Sequence, residues 1–220
     1  MNEGALAMRQ HAAIELLRSV RILPIVTVES AEQALAVARA LLEGGLPAIE
    51  LTLRTPAAMP ALAAIKRELR DVRVGAGTVL DARQLADAQA AGADFIVTPG
   101  TTPTLRAALA DCALPVVAGV ATPSEAMALR ELGFRVAKLF PAAAVGGLAM
   151  LQSLHGPLAD MQFCPTGGID ESDAADYLAQ PNVACIGGSW MVPKAWLQAS
   201  DWTRVRESAD RARAIIDRVG

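Results

Sequence analysis

The sequence predicts an α/β protein, a (β/α)8 TIM barrel with an extra N-terminal helix. Three observations carry this expectation. Eight short apolar runs rich in Val and Ile recur along the 220 residues. Stretches of Ala, Leu, Glu and Arg with helical spacing separate them. The runs begin about every 20–27 residues, the scale of one βα unit. They are nearly continuous in apolar character, as strands covered by helices require. Eight units in this length fit a compact barrel better than an open doubly wound sheet. Periodicity does not show closure, so the open sheet remains the alternative.

Taken in order, residues 5–20 read as an amphipathic helix placed to cover the barrel floor. Strands are expected over residues 22–28, 48–54, 72–79, 95–100, 114–120, 135–141, 162–168 and 183–189. Helical stretches between them include residues 32–43, 60–70, 83–91 and 124–132. Gly44-Gly45, Gly92 and Gly133 follow helices just before the next strand, where a glycine closes a helix cheaply. In residues 201–219, Trp202, Val205, Ala209, Ala212 and Ile216 share one face, which makes this the last outer helix. No linker or composition break interrupts the chain. Residues 1–220 are therefore expected to form a single domain, with residues 21–219 as the barrel.

Composition narrows the function classes. A net charge of −3 gives no basic stripe for nucleic acid and no polybasic membrane surface. The 53% hydrophobic content excludes disorder. The longest uncharged run, residues 139–159, is broken by Pro141, Gly146, Gly147, Gly156 and Pro157, so it does not suit a membrane span. Glu3, Arg9, Glu15 and Arg18 leave no apolar signal core, which suggests a cytoplasmic protein. Cys112, Cys164 and Cys185 are scattered and read as reduced buried thiols. With only two histidines, they make no zinc site, and no metal or cofactor is expected.

A barrel active site lies at the C-terminal ends of the strands. In the second strand, alternation sends Ile49, Leu51 and Leu53 one way and Glu50, Thr52 and Arg54 the other. The apolar set belongs against the helices, so the acid and the cation point inward. In the sixth strand, Val136, Lys138 and Phe140 share a face. A strand lysine among apolar neighbours snorkels, pairs or reacts. Desolvation favours the neutral amine, and a neutral amine attacks a ketone. Of the 20 basic residues only three are lysines. Lys66 sits beside Arg67 and Glu68 on a charged helix face, and Lys194 follows Pro193 in a loop, so both read as solvent-facing.

Gly75-Ala76-Gly77-Thr78 and Thr98-Pro99-Gly100 end the third and fourth strands, where glycines let a ligand approach the backbone. Paired glycines follow strands seven and eight, at Gly167-Gly168 and Gly187-Gly188. These are the places where barrels bind phosphate.

These runs resemble a known family. Glu50-Leu-Thr-Leu-Arg54-Thr55, Gly75-Ala-Gly-Thr78, Thr98-Pro99-Gly100, Lys138-Leu-Phe140-Pro141, Phe163-Cys-Pro-Thr166-Gly167-Gly168 and Ile186-Gly187-Gly188-Ser189-Trp look like the class I aldolases that act on 2-keto-3-deoxy-6-phosphogluconate (KDPG) or on 4-hydroxy-2-oxoglutarate. The resemblance runs from about Arg21 to the C-terminus, with all motifs in order. It implies a trimeric barrel without a metal, cleaving KDPG reversibly to pyruvate and glyceraldehyde 3-phosphate in the Entner–Doudoroff pathway, with 4-hydroxy-2-oxoglutarate cleavage as a related activity. It implies Lys138 as the Schiff-base lysine and Glu50 as general acid/base. Arg54 and Thr78 are then expected to hold the carboxylate, with Pro99, Phe140 and Thr166 lining the site. Gly167, Gly168 and Ser189 are expected to take the phosphate. The sequence departs from the family pattern at Ala143, where Glu commonly follows Phe-Pro-Ala. Competing readings are an aldolase for the galactonate epimer, a phosphosugar epimerase or isomerase, and a non-catalytic phosphometabolite-binding barrel.

Overall fold

The computed structural model describes residues 3–219; Met1, Asn2 and Gly220, within the expected 1–220 domain, lie outside the described residues. Strands β1 (Ile22–Val26), β2 (Ala48–Thr52), β3 (Arg73–Gly77), β4 (Phe95–Val97), β5 (Val116–Val120), β6 (Val136–Leu139), β7 (Gln162–Phe163) and β8 (Ile186–Gly188) form one sheet. Each strand from β1 to β6 pairs in parallel with the next, and β1 also pairs with β8, so that β7 and β8 end the strand order. Parallel bridges Phe163↔Val183 and Thr166↔Gly187 join the segments around β7 and β8. The sheet is therefore curled, and its order follows the chain.

The connecting helices are α2 (Ala31–Glu43), α3 (Ala58–Glu68), α4 (Ala82–Ala90), α5 (Pro103–Asp111), α6 (Pro123–Glu131), α7 (Gly147–His155), α8 (Ala174–Leu178), α9 (Lys194–Gln198) and α10 (Trp202–Val219). Four of them start at a side-chain cap. Ser30, Asp81, Thr102 and Thr122 each accept an otherwise unpaired N–H in the first turn. Gly92 and Gly133 take left-handed backbone (φ +88° and +99°) just after α4 and α6, a conformation that costs glycine little.

Alternation along the strands divides the core. Outward residues such as Ile49, Leu51, Ala137 and Leu139 join the helices in one large cluster. Inward residues Leu23, Ala48, Phe95, Val97, Val117, Val136, Cys164, Ala184 and Cys185 form a second. Helix α1 (Glu3–Val20) contributes Ala13, Leu17 and Val20 to that inner cluster. Its Gln10 is 1% exposed. The Gln10 amide donates to the Val116 carbonyl at 3.1 Å and accepts from the N–H groups of Arg135 and Val136 at 2.9 and 3.1 Å. Helix α1 thus fills the end where β5 and β6 begin. No helix among the described residues is long and apolar enough to cross a membrane.

Strands end earlier than the apolar runs suggest. The seventh run stops pairing regularly after Phe163, because Pro165 lacks a ladder donor and Gly167 and Gly168 turn the chain at positive φ. Helices α5, α7, α8 and α9 were not among the named segments. Two of them have only five residues, too short to display a period.

Candidate active site

At the C-terminal ends of the strands lies a cavity of about 540 Å³. All ten residues singled out from the sequence line it: Glu50, Arg54, Thr78, Pro99, Lys138, Phe140, Thr166, Gly167, Gly168 and Ser189. They come from six of the eight strand ends, so only the curled sheet brings them together.

Lys138 and Glu50 form its centre. They are separated by 88 residues and stand on β6 and β2, on opposite sides of the barrel interior. The Lys138 ammonium donates to Glu50 Oε1 at 3.1 Å and lies 3.4 Å from Oε2. Both are buried, at 5% and 1% exposure. Desolvating two charges costs several kcal/mol per ion, so such a pair is a weak stabiliser. It is, however, a ready route for a proton between an amine and a carboxylate. The Lys138 nitrogen also sits 5.4 Å from the centre of the Phe140 ring, which shields one side.

The neighbouring strands make room for this pair. A Cβ on Gly77 would lie 2.2 Å from Glu50 Oε1, and one on Gly187 would lie 2.3 Å from the Thr166 hydroxyl. On Gly75 it would meet the Phe95 ring at 2.2 Å. This corrects the expectation for the third strand: its glycines admit protein side chains, not the ligand backbone approach. On Gly119 a Cβ would overlap the Pro99–Gly100 backbone, so this glycine lets the β4–α5 loop fold inward and place Pro99 at the cavity.

Thr78 adopts φ +61°, a left-handed conformation that is uncommon for a β-branched residue. Such strain costs on the order of 1–3 kcal/mol and persists where the surroundings over-determine it. Here it carries the β3–α4 connection around the cavity mouth. Ala143, the departure from the family pattern, is exposed. Its N–H donates to the Gly167 carbonyl at 3.0 Å, and a Cβ on Gly168 would lie 2.5 Å from its methyl. The loop after β6 is therefore held to the Gly167-Gly168 turn through backbone and close packing.

Sequence reasoning missed several lining residues. Thr27, just after β1, shares a hydrogen bond of 2.7 Å with Thr52, which alternation had already turned inward on β2. Gln33 and Glu29 come from the β1–α2 region. Lys194 also lines the cavity, from the first turn of α9. This corrects its placement in a loop, while its exposure agrees with the solvent-facing reading. Lys66, by contrast, is not simply solvated: its ammonium pairs with Asp94 at 2.7 Å. Neither placement had a local sequence signal, since the partners are distant in the chain. Among the described residues, no group of three or more His, Cys, Asp or Glu side chains converges as a metal site.

Comparison with known proteins agrees with this geometry. A family model for KDPG and KHG aldolase matches residues 13–208. A 2-dehydro-3-deoxy-phosphogluconate aldolase of Pseudomonas aeruginosa is 46% identical over 200 residues, covering 89% of this chain and 91% of that protein. The KDPG aldolase of Legionella pneumophila, solved with pyruvate captured as a covalent carbinolamine intermediate, superposes with a TM-score of 0.88 at 39% identity. It covers 90% of this chain and 96% of that one. The Zymomonas mobilis 2-keto-3-deoxy-6-phosphogluconate aldolase with 3-phosphoglycerate superposes at 0.85 with 38% identity, over 92% and 95% of the two chains. By family model, sequence relatives and structure alike, the chain belongs to the KDPG and KHG aldolase family.

Proposed function

We propose that the protein is a class I aldolase that cleaves KDPG reversibly to pyruvate and glyceraldehyde 3-phosphate, the lyase step of the Entner–Doudoroff pathway. The single observation that carries this is the buried Lys138–Glu50 pair facing the cavity at 3.1 Å. Proton transfer to Glu50 frees the Lys138 lone pair, which attacks the C2 ketone. The resulting carbinolamine loses water to give an iminium. Removal of the C4 hydroxyl proton, directly by Glu50 or through a water, lets the C3–C4 bond break. Its electron pair passes into the iminium, giving an enamine and the aldehyde of glyceraldehyde 3-phosphate. Protonation of the enamine at C3 and addition of water at C2 release pyruvate and regenerate the amine.

Arg54 takes the carboxylate, since a guanidinium can bind both oxygens at once, and Thr78 closes the same side. Pro99, Phe140 and Thr166 form the walls. Gly167, Gly168 and Ser189 receive the phosphate on backbone N–H groups and a hydroxyl. We assign 4-hydroxy-2-oxoglutarate as a second substrate, because it presents the same keto-acid end to Lys138. We read residues 1–220 as one (β/α)8 barrel domain with α1 as an added floor, supported by the bridges between the β7 and β8 segments and by the contacts of α1 with the inner core. A homotrimer follows from family membership, and a phosphorylated metabolite supports a cytoplasmic setting.

The test is a steady-state comparison of KDPG, its C4 epimer and 4-hydroxy-2-oxoglutarate, following pyruvate release. The highest kcat/KM is expected with KDPG. Equal or better efficiency on the phosphate-free substrate would overturn the phosphate assignment. A preference for the epimer would make this a galactonate-type enzyme. Activity surviving Lys138→Met would favour an epimerase or isomerase.

A further inference from the structure

We propose that Lys194 is a specificity-determining residue: its ammonium pairs with the substrate phosphate and sets the preference for phosphorylated keto acids. The inference rests on the reading of this cavity as the site of a phosphorylated keto acid. Five charged side chains line the cavity, namely Glu29, Glu50, Arg54, Lys138 and Lys194. Glu50 and Lys138 are engaged with each other. The side chains of Arg54 and Lys194 have no hydrogen bond or ion pair to any described residue. The cavity therefore offers two uncommitted cations.

These cations stand on different loops. Arg54 follows β2, whereas Lys194 follows β8, the strand that carries Gly187 and Gly188 and leads into Ser189. The substrate carries an anion at each end, a carboxylate next to the reacting ketone and a phosphate at the far end of the carbon chain. With Arg54 serving the carboxylate, the phosphate falls at the glycine turns. Backbone N–H groups orient an anion through dipoles but bring no net charge. A dianion taken from water is held more tightly where a cation also meets it.

The backbone beneath Lys194 is fixed. Leu197, one turn later, is buried at 6% exposure. Its carbonyl accepts from the Gln33 amide at 3.2 Å, and the Gln33 oxygen accepts from the Glu29 N–H at 2.9 Å. This strap ties α9 to the β1–α2 loop at the cavity mouth. The Lys194 side chain itself is exposed. A flexible four-carbon stem carrying a compact charge suits contact with a phosphate that enters from solvent. Arg54 and Glu29 are the other exposed charges lining the cavity, and Glu29, as the acid, is the competing partner for Lys194.

The test is kinetics on wild type, Lys194→Gln and Lys194→Arg with two probes, KDPG and pyruvate. Pyruvate carries the ketone and carboxylate without a phosphate. Its binding is read as the concentration giving half-maximal trapping by borohydride. Lys194→Gln is expected to raise the KM for KDPG about 3- to 10-fold at little cost in kcat, the size of a partly screened charge contact. Added salt should raise the wild-type KM more than that of the variant. Half-maximal trapping by pyruvate should not move, and Lys194→Arg should recover most of the KDPG affinity. An unchanged KM for KDPG, or equal shifts with both probes, would overturn the inference while leaving the aldolase reading intact. Wild-type protein that traps pyruvate but does not cleave KDPG would overturn both.

Discussion

At the residue scale, the distinctive feature is the buried ion pair of Lys138 and Glu50. Removing one partner leaves a buried charge unpaired and costs about 3–5 kcal/mol, whereas replacing both with apolar residues is often neutral or stabilising. The double variant Glu50→Leu/Lys138→Met is therefore expected to melt no lower than the parent, with no aldolase activity, by thermal unfolding and pyruvate release. A double variant several degrees less stable would show that the pair supports the fold. Glu50→Gln is expected to keep pyruvate trapping on Lys138 while slowing cleavage about 10²- to 10⁴-fold, the usual contribution of general acid/base catalysis. Near-normal turnover would remove Glu50 from that role. Gly77→Ala tests the space around the carboxylate, because the new methyl would fall 2.2 Å from Glu50 Oε1. A loss of kcat with the far-ultraviolet spectrum unchanged is expected.

The element scale shows what could be read from the chain and what could not. Strands β2 and β6 were legible because polar residues at alternate positions interrupt otherwise apolar runs: Glu50 and Thr52 in one, Lys138 in the other. Helix α6 was legible from the helical spacing of residues 124–132 and the closing Gly133; its capping box, Thr122 with Glu125, came to light only in the structure. Helix α9 and the straps at the cavity mouth were not. A five-residue helix has no period, and the partners of Gln33 lie 164 residues away. Lys194 is exposed, as the sequence suggested, but its place in α9 and on the cavity lining could not be read for the same reason. Two predictions belong here. Gln10→Ala should destabilise the fold by about 1–3 kcal/mol, the cost of leaving buried groups unsatisfied, because the N–H groups of Arg135 and Val136 lose their acceptor. Thermal unfolding checks this, and no change would show that α1 is only loosely attached. The second concerns Glu125. Its carboxyl is held below the ordinary 4.5, chiefly by accepting the Ala121 N–H, with Thr122 adding to it. The folded value lies below the unfolded one, so the group stabilises above the unfolded value and loses that contribution as pH falls through the folded value. Glu125→Gln should therefore melt below the parent at neutral pH, and the gap should close in acid well below 4.5.

At the scale of the whole molecule, the barrel divides its work between two ends. Helix α1 and the inner apolar cluster fill the end where β5 and β6 begin. The opposite end stays open as a cavity of about 540 Å³ that holds the titratable groups. Strand order follows the chain in a curled sheet that brings β2 and β6 face to face, and this curl sets Glu50 against Lys138. The lysines make the chemistry traceable. Only three occur: Lys66 is tied to Asp94, Lys194 is exposed at the rim, and Lys138 is buried inside. The most direct test is incubation with pyruvate and borohydride, followed by peptide mass analysis. The account predicts one reduced pyruvyl adduct, on the peptide containing Lys138. An adduct on Lys66 or Lys194 instead, or none at all, would contradict it.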